Sequence, residues 1–160
     1  MATTPKTQSS AGTALYIAAT GAPTTFDAAG FSAQIYTKIE KVKNLSAFGP
    51  TYNVITSEYL DSRGVSKRKG TFDSGSLDGT LDIERGPGQV ALEVAASSDD
   101  DFSFKMVFQD GTTYYVRGQV MEFMKNVGGP NQMLEGTFKI ALNPIIDGLN
   151  ESSAVKVPAP

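Results

Sequence analysis

Apolar and polar positions alternate with a period of two along most of this chain, the pattern of strands that bury one face and wet the other. The clearest run is Ser76 to Glu84, with Leu77, Gly79, Leu81 and Ile83 on one side and Asp78, Thr80, Asp82 and Glu84 on the other. Phe102, Phe104, Met106 and Phe108 alternate up to Asp110-Gly111, a tight-turn pair that returns the chain into a strand over Thr113 to Val127. After Gly128-Gly129-Pro130-Asn131 the period resumes at Leu134, Gly136, Phe138, Ile140 and Leu142, so a second hairpin is predicted. Thr13 to Ala18 predicts a short strand. Ile35 to Leu45 predicts a longer one, in which Ile35, Ile39, Val42 and Leu45 slip phase once, as a bulge near Glu40 and Lys41 would produce.

One segment departs from this period. Gly86-Pro87-Gly88 opens the stretch QVALEVAASS, whose apolar spacing suits a helix of about ten residues begun near Pro87, where the missing donor is harmless. The predicted fold class is mainly β: an antiparallel β-sandwich or partly open barrel of about six strands with one short α-helix.

Three stretches carry no sustained period. Residues 1–12 are rich in Thr, Ser, Pro and Gly and bury too little to offset their ordering entropy, which predicts a flexible N-terminal arm. Beyond Leu142, NPIIDGLNESSAVKVPAP has prolines at 144, 158 and 160 and reads as a C-terminal arm over 144–160, anchored at most by Ile145 and Ile146. Between them, 13–143 reads as one β domain interrupted by a long loop at 46–74, which Gly49, Pro50, Gly64, Gly70 and Asp73 punctuate. Insertions of that length inside a compact domain usually carry function, so the loop is a candidate site.

Composition removes whole classes of chemistry. The 160 residues contain no His and no Cys, so serine and cysteine triads, the usual zinc sites and disulfides are excluded, and no cofactor or metal is expected. No apolar run approaches the roughly 20 residues needed to span a bilayer, and the first residues lack an apolar signal core, so a soluble chain without membrane insertion is expected. The net charge of −3 argues against a general nucleic-acid binder.

The charge is divided along the chain. Ile35 to Gly70 holds seven basic residues against three acids, whereas Thr71 to Asp101 holds eight acids against Arg85 alone. Complementary patches on one chain suit head-to-tail self-association, although charged loops are also ordinary solvated surface. Candidate sites fare less well. Ser66-Lys67-Arg68-Lys69 has no interleaved aromatic for gripping nucleic acid. Asp99-Asp100-Asp101 lacks the spacing of a calcium loop and reads as a linker. No Lys-Ser/Thr follows Gly86-Pro87-Gly88 as a phosphate cradle requires. Asp78 and Asp82 sit roughly 13 Å apart at about 3.3 Å per residue, too far along one strand for paired-carboxylate hydrolysis. The alternating Phe residues, with Tyr59, Tyr114 and Tyr115, read as core more readily than as a stacking platform. The chain is not expected to be an enzyme.

Several short motifs, taken in order, resemble the major tail tube proteins of long non-contractile phage tails. They are Gly12-Thr13-Ala14-Leu15-Tyr16-Ile17, Lys41-Val42-Lys43-Asn44-Leu45, Tyr59-Leu60-Asp61 and Gly88-Gln89-Val90-Ala91-Leu92. Phe104-Lys105, Asp110-Gly111-Thr112, Val116-Arg117-Gly118 and Gly136-Thr137-Phe138-Lys139 follow at matching spacing. The resemblance spans about residues 12 to 143 and rests on order and spacing, not on any one motif. It implies a structural virion protein that self-assembles into stacked hexameric rings, four strands of each subunit forming a continuous inner barrel for DNA ejection. The implied partners are further copies of itself, tail tip or initiator and tail terminator proteins, a tape measure protein in the lumen and DNA in passage. Assembly in the host cytoplasm would precede residence in the virion. Many members carry an appended immunoglobulin-like decoration domain, for which nothing after Leu142 is expected to serve. A tube protein of a contractile tail or secretion machine is the neighbouring alternative, and a carbohydrate- or ligand-binding β-sandwich fits the fold class.

Combined with that inner barrel, the alternation assigns faces. Asp78, Thr80, Asp82, Tyr115, Arg117, Gln119, Glu135, Thr137 and Lys139 are expected to face the lumen, with a net negative wall that lets a polyanion slide. The resemblance makes the 46–74 loop a bridge to the next ring, with Arg63, Lys67, Arg68 and Lys69 as its stacking residues.

Overall fold

The computed structural model describes residues 7–148 and 150–160. The expected arm at 1–12 therefore lies partly outside the described residues.

The first strand, β1 (Ala14–Ala18), is followed by a one-turn helix, α1 (Ala28–Ser32), and by β2 (Thr37–Lys38) and β3 (Val42–Leu45). A hairpin of β4 (Thr51–Ser57) and β5 (Ser66–Asp73) leads into β6 (Ser76–Asp82) and the helix α2 (Pro87–Ala96). Then come β7 (Phe102–Val107), β8 (Thr113–Asn126) and β9 (Glu135–Asn143), and three short strands, β10 (Ile145–Asp147), β11 (Asn150–Ser152) and β12 (Val155–Val157). The main sheet is antiparallel throughout, in the order β2-β1-β7-β8-β9-β6-β3 with β12 also on β8. It is mainly β and not a closed barrel, as the alternation predicts, but it has eight strands where about six were expected.

The 14-residue strand β8 organises this sheet. Its first part pairs with β7 from Thr113 to Gly118, and its later part pairs with β9 from Arg117 to Asn126. Leu15, Ile17, Phe104 and Val116 from the β1-β7 side meet Leu77, Leu81, Phe138 and Ile140 from the β6-β9 side in one buried cluster. The sheet thus folds over itself, with β8 running through both halves.

The ten-residue helix α2 forms where Pro87 predicts. Its N-cap, Gly86, offers no side chain, and the carboxylate of Glu40 caps the helix instead, accepting from Gly88 N at 3.3 Å and Gln89 N at 3.2 Å. A Cβ at Gly88 would strike the Lys38 carbonyl, so glycine lets the helix approach that turn. Buried Gln89 completes the joint: its Nε2 donates to the carbonyls of Glu40 and Asp82, and its Oε1 accepts from Glu84 N.

Four sequence expectations change. Ile35 to Leu45 is not one bulged strand but two strands, β2 and β3, at opposite ends of the sheet, and Lys41 turns between them at φ 56°. The phase slip marks that crossing, and the bulge lies further on, between Val42 and Asn44. The 46–74 loop contains a regular hairpin, unseen because both its faces are exposed and no alternation develops. The short helix α1, capped by Asp27 accepting from Gly30 N at 2.6 Å, is too brief to show a helical period. Finally, the 144–160 stretch folds back: Ile145 is buried and β12 pairs Val155, Lys156 and Val157 with Tyr115, Tyr114 and Thr113. Phe31, Tyr115 and Ile145 form a second small core there, with Phe26, Tyr36, Val155 and Val157 against it.

Gly79 tests the main core. It lies opposite Phe138, and an added Cβ would strike the Phe138 ring and the Asn44 carbonyl. Gly79→Ala should cost about 1–3 kcal/mol in urea unfolding, whereas Thr80→Ala on the other face should cost less. Equal stability of Gly79→Ala and the parent chain would contradict this packing.

Candidate functional site

The half of the sheet formed by β8, β9, β6 and β3 presents one polar face away from the core. Register brings Asp78 opposite Lys139, Thr80 opposite Thr137 and Asp82 opposite Glu135, and the residues between them are buried. These six residues, separated in sequence, share one surface as their alternation predicts.

Tyr115, Arg117 and Gln119 lie on the same side of the sheet but in a different setting. Tyr115 is only 7% exposed, stacked on Phe31 at 5.7 Å and tilted against Tyr36, so α1 and its flanking chain cover it. Burial raises the pKa of both tyrosines, with the Tyr115 charge adding to the effect on Tyr36. Arg117 lies over the Phe26 ring and pairs with Asp101 at 3.3 Å, and Asn143 donates to the same carboxylate at 2.8 Å. Gln119 donates to the Asp99 carbonyl. As a lumen residue, Tyr115 is therefore corrected: its alternation was read properly, but alternation does not reveal that a second layer covers that part of the face.

The sequence reading missed Glu122 and Met124. A bulge between Val120 and Glu122 shifts the phase of β8, so even-numbered residues join the polar face beyond it, with Glu122 opposite Lys139 and Met124 opposite Thr137. The adjacent apolar residues Val120 and Met121, followed by Glu122 and Phe123, carry the mark of that shift. Asn44, Ser46, Asp78, Thr80, Glu122 and Lys139, with Met124 and Phe138, line a shallow hollow here, too open to resemble an enclosed ligand pocket.

Lys43 holds the far end of the face together. Asp82 and Glu135 stand directly opposite one another, a repulsive pairing if left alone. Lys43 reaches between them, hydrogen-bonding Glu135 and lying 3.3 Å from Asp82. Those partners raise its pKa, the hydrogen bond to Glu135 contributing most. With Asp78, Asp82, Glu122 and Glu135 against Lys43 and Lys139, the face carries two net negative charges.

The second surface is the β4–β5 hairpin. It forms its own two-stranded sheet and displays apolar side chains, including Val54, Ile55, Tyr59 and Leu60, to solvent. Lys67, Arg68 and Lys69 lie on β5 opposite Thr56, Ile55 and Val54, and Arg63 lies in the connection. Lys69 also sits over the Tyr52 ring at 4.4 Å. The four expected stacking residues therefore share one exposed arm, and their order there comes from strand pairing. Elsewhere, among the described residues, no group of three or more carboxylates gathers as a metal site, and no helix is long and apolar enough to cross a membrane.

No protein-family model matches the chain, and no curated protein does. Solved structures do. A chain of the PVC sheath/tube terminator of an extracellular contractile injection system aligns with a TM-score of 0.62 at 11% identity, covering 90% of this chain and 98% of that one. A chain from the tail of an empty gene transfer agent particle, with C6 symmetry, aligns at 0.61 and 12% identity, covering 86% and 95%. The SPP1 tail tube aligns at 0.54 and 12% identity, covering 90% and 75%. The resemblance read from the short motifs thus reappears as a shared fold with chains of phage tails and phage-like injection systems.

The Lys43 bridge gives a pH-dependent prediction. A lysine whose folded pKa is raised contributes stability that is full below its unfolded value and lost as pH rises through the folded one. Lys43→Met should lower the melting temperature at neutral pH, and the deficit should shrink only on titration past the ordinary lysine range. A deficit unchanged at high pH would show that the lysine acts through packing and not charge.

Proposed function

We propose that this chain is a structural, non-enzymatic subunit of a tail tube, which self-assembles into stacked rings around a channel. The observation that carries this reading is the four-stranded segment β8-β9-β6-β3 with both outer edges open. The β7 pairing of β8 ends at Gly118, so Gln119 to Asn126 has a partner on the β9 side alone. At the other edge β3 pairs only with β6. Open edges are templates for further pairing, and joining the β8 edge of one copy to the β3 edge of the next is a heterologous contact that closes a ring at a suitable angle.

Six copies would give a continuous inner wall of four strands each, with the polar face of Asp78, Thr80, Asp82, Thr137 and Lys139 toward the lumen. Its negative charge suits a conduit for DNA, because a basic wall would hold a polyanion through counterion release. The β4–β5 hairpin supplies the contact to the next ring. An isolated two-stranded hairpin is marginally stable in water, and this one leaves Val54, Ile55, Tyr59 and Leu60 bare among its charged residues, so a neighbouring copy is the natural cover. In this reading the chain resides in a virion tail, assembled in the host cytoplasm with initiator, terminator and tape measure proteins. The fold shared with the PVC chain keeps a tube of a contractile injection system as the second reading, distinguished by a sheath around the tube.

Deleting Gly64 to Lys69 should leave a folded subunit that no longer builds long tubes, as judged by thermal unfolding and negative-stain imaging. Tubes of normal length from that variant would remove the hairpin from the stacking contact. For the lumen, cysteines placed singly at 78, 80 and 82 in assembled tubes should react with small reagents and resist bulky ones. Free labelling of all three by bulky reagents would turn this face outward.

A further inference from the structure

Two groups of exposed apolar side chains lie at opposite ends of the segment β8-β9-β6-β3. One is on the β4–β5 hairpin, which leaves the body where β3 ends and β6 begins and whose strands pair only with each other. Leu60, in its connection, is fully exposed and Tyr59 more than half so. The other group is at the far end of β6, roughly 23 Å from Ser76 to Ile83 at about 3.3 Å per residue. There Ile83 N donates to the Leu134 carbonyl at 2.8 Å, and Ile83, Val90, Phe123 and Leu134 line a hollow of about 370 Å³ between the strand ends and the first turns of α2. Val90 and Leu134 remain exposed at its mouth.

The charges around the two groups can be paired. Glu93 and Lys125 in the hollow wall neutralise each other at 2.7 Å. Arg85, also lining the hollow, has a left-handed backbone at φ 60°, unusual for a residue with a side chain, and forms no ion pair among the described residues. Glu84 stands exposed beside it. On the hairpin, Glu58 and Asp61 flank Tyr59 and Leu60, and Arg63 follows. Acids on the hairpin thus have Arg85 to meet, and Arg63 has Glu84.

Building on the reading that the hairpin joins successive rings, we infer that the hollow between α2 and the β6 and β9 strand ends receives Tyr59 and Leu60 from a second copy of this chain, with Arg85 pairing with Asp61. Rings joined through the edges of β8 and β3 have their strand ends facing the rings above and below. Stacking them in one direction is a heterologous contact, so the hairpin end of one ring meets the hollow end of the next. The larger cleft beside β3, bordered by Ala47 and Phe48, lies instead next to the base of the hairpin itself. Seating Tyr59 and Leu60 covers apolar surface on both partners at once.

The test uses the full chain, which contains no native cysteine to interfere. Leu60→Cys combined with Val90→Cys should, on mild oxidation of assembled tubes, give a ladder of cross-linked species that runs past the ring size, because each bond ties one ring to the next. Each single variant should give no ladder. Independently, Arg85→Glu should raise the concentration needed for tube growth about tenfold while the subunit stays folded, and adding Asp61→Arg should restore growth. Suppose tubes fail when Gly64 to Lys69 is deleted, yet the paired cysteines do not cross-link and the charge reversal has no effect. That result would overturn the hollow as receiver and leave the hairpin as the stacking element. A ladder that stops at the ring size would place the contact within one ring, and dimers from Leu60→Cys alone would show hairpin meeting hairpin; either would overturn the proposal. Normal tubes without the hairpin, or no rings from the parent chain under any condition, would remove the underlying reading and the hollow with it.

Discussion

Unpaired backbone along strand edges is the constraint on which this molecule turns. Every strand donor and acceptor needs a partner, and exposed edges are ordinarily shortened, charged or covered to prevent uncontrolled pairing. Here β8 outruns β7 by eight residues, and β3 ends the sheet beside an open seam. An edge of that length is a liability for a chain meant to remain alone and a joint for one meant to polymerise.

The remaining features serve to hold those edges in fixed positions. Glu40, Gln89 and the close approach at Gly88 tie the β2–β3 turn to the start of α2, so the helix and the β3 edge cannot move independently. Lys43 joins β3 to β6 and β9 by bridging two carboxylates that would otherwise repel. Further along the same face, α1 and its flanking chain cover Tyr115 and leave the polar residues of β6 and β9 bare. The result is a plate with a charged face and two open edges, and a projecting hairpin whose apolar residues have no cover among the described residues.

Much of this was legible in the sequence. Leu77, Leu81, Phe138 and Ile140 alternate with polar residues, and that period alone put Asp78, Thr80, Asp82, Glu135, Thr137 and Lys139 on a common face. Pro87 marked the start of α2. What stayed hidden was whatever breaks or overlays the period. The bulge at Met121 moved Glu122 and Met124 onto the face, and α1 took Tyr115 out of solvent through a contact between segments more than 80 residues apart. The β4–β5 hairpin escaped notice because periodicity records burial, and both faces of this hairpin are exposed. The divided charge was visible, but only the fold showed where it goes, with Arg63, Lys67, Arg68 and Lys69 on the hairpin and Asp78 and Asp82 on the polar face.

Amide hydrogen exchange before and after assembly tests the account most directly, because it reads the edge donors themselves. In free subunits the outward-facing amides of Val42 to Leu45 and of Gln119 to Asn126 should exchange quickly, while the amides paired between β6 and β9 are protected. On assembly both edges should become protected together. Assembled tubes in which these two edges continue to exchange as in the free chain would contradict the claim that the rings are joined strand to strand.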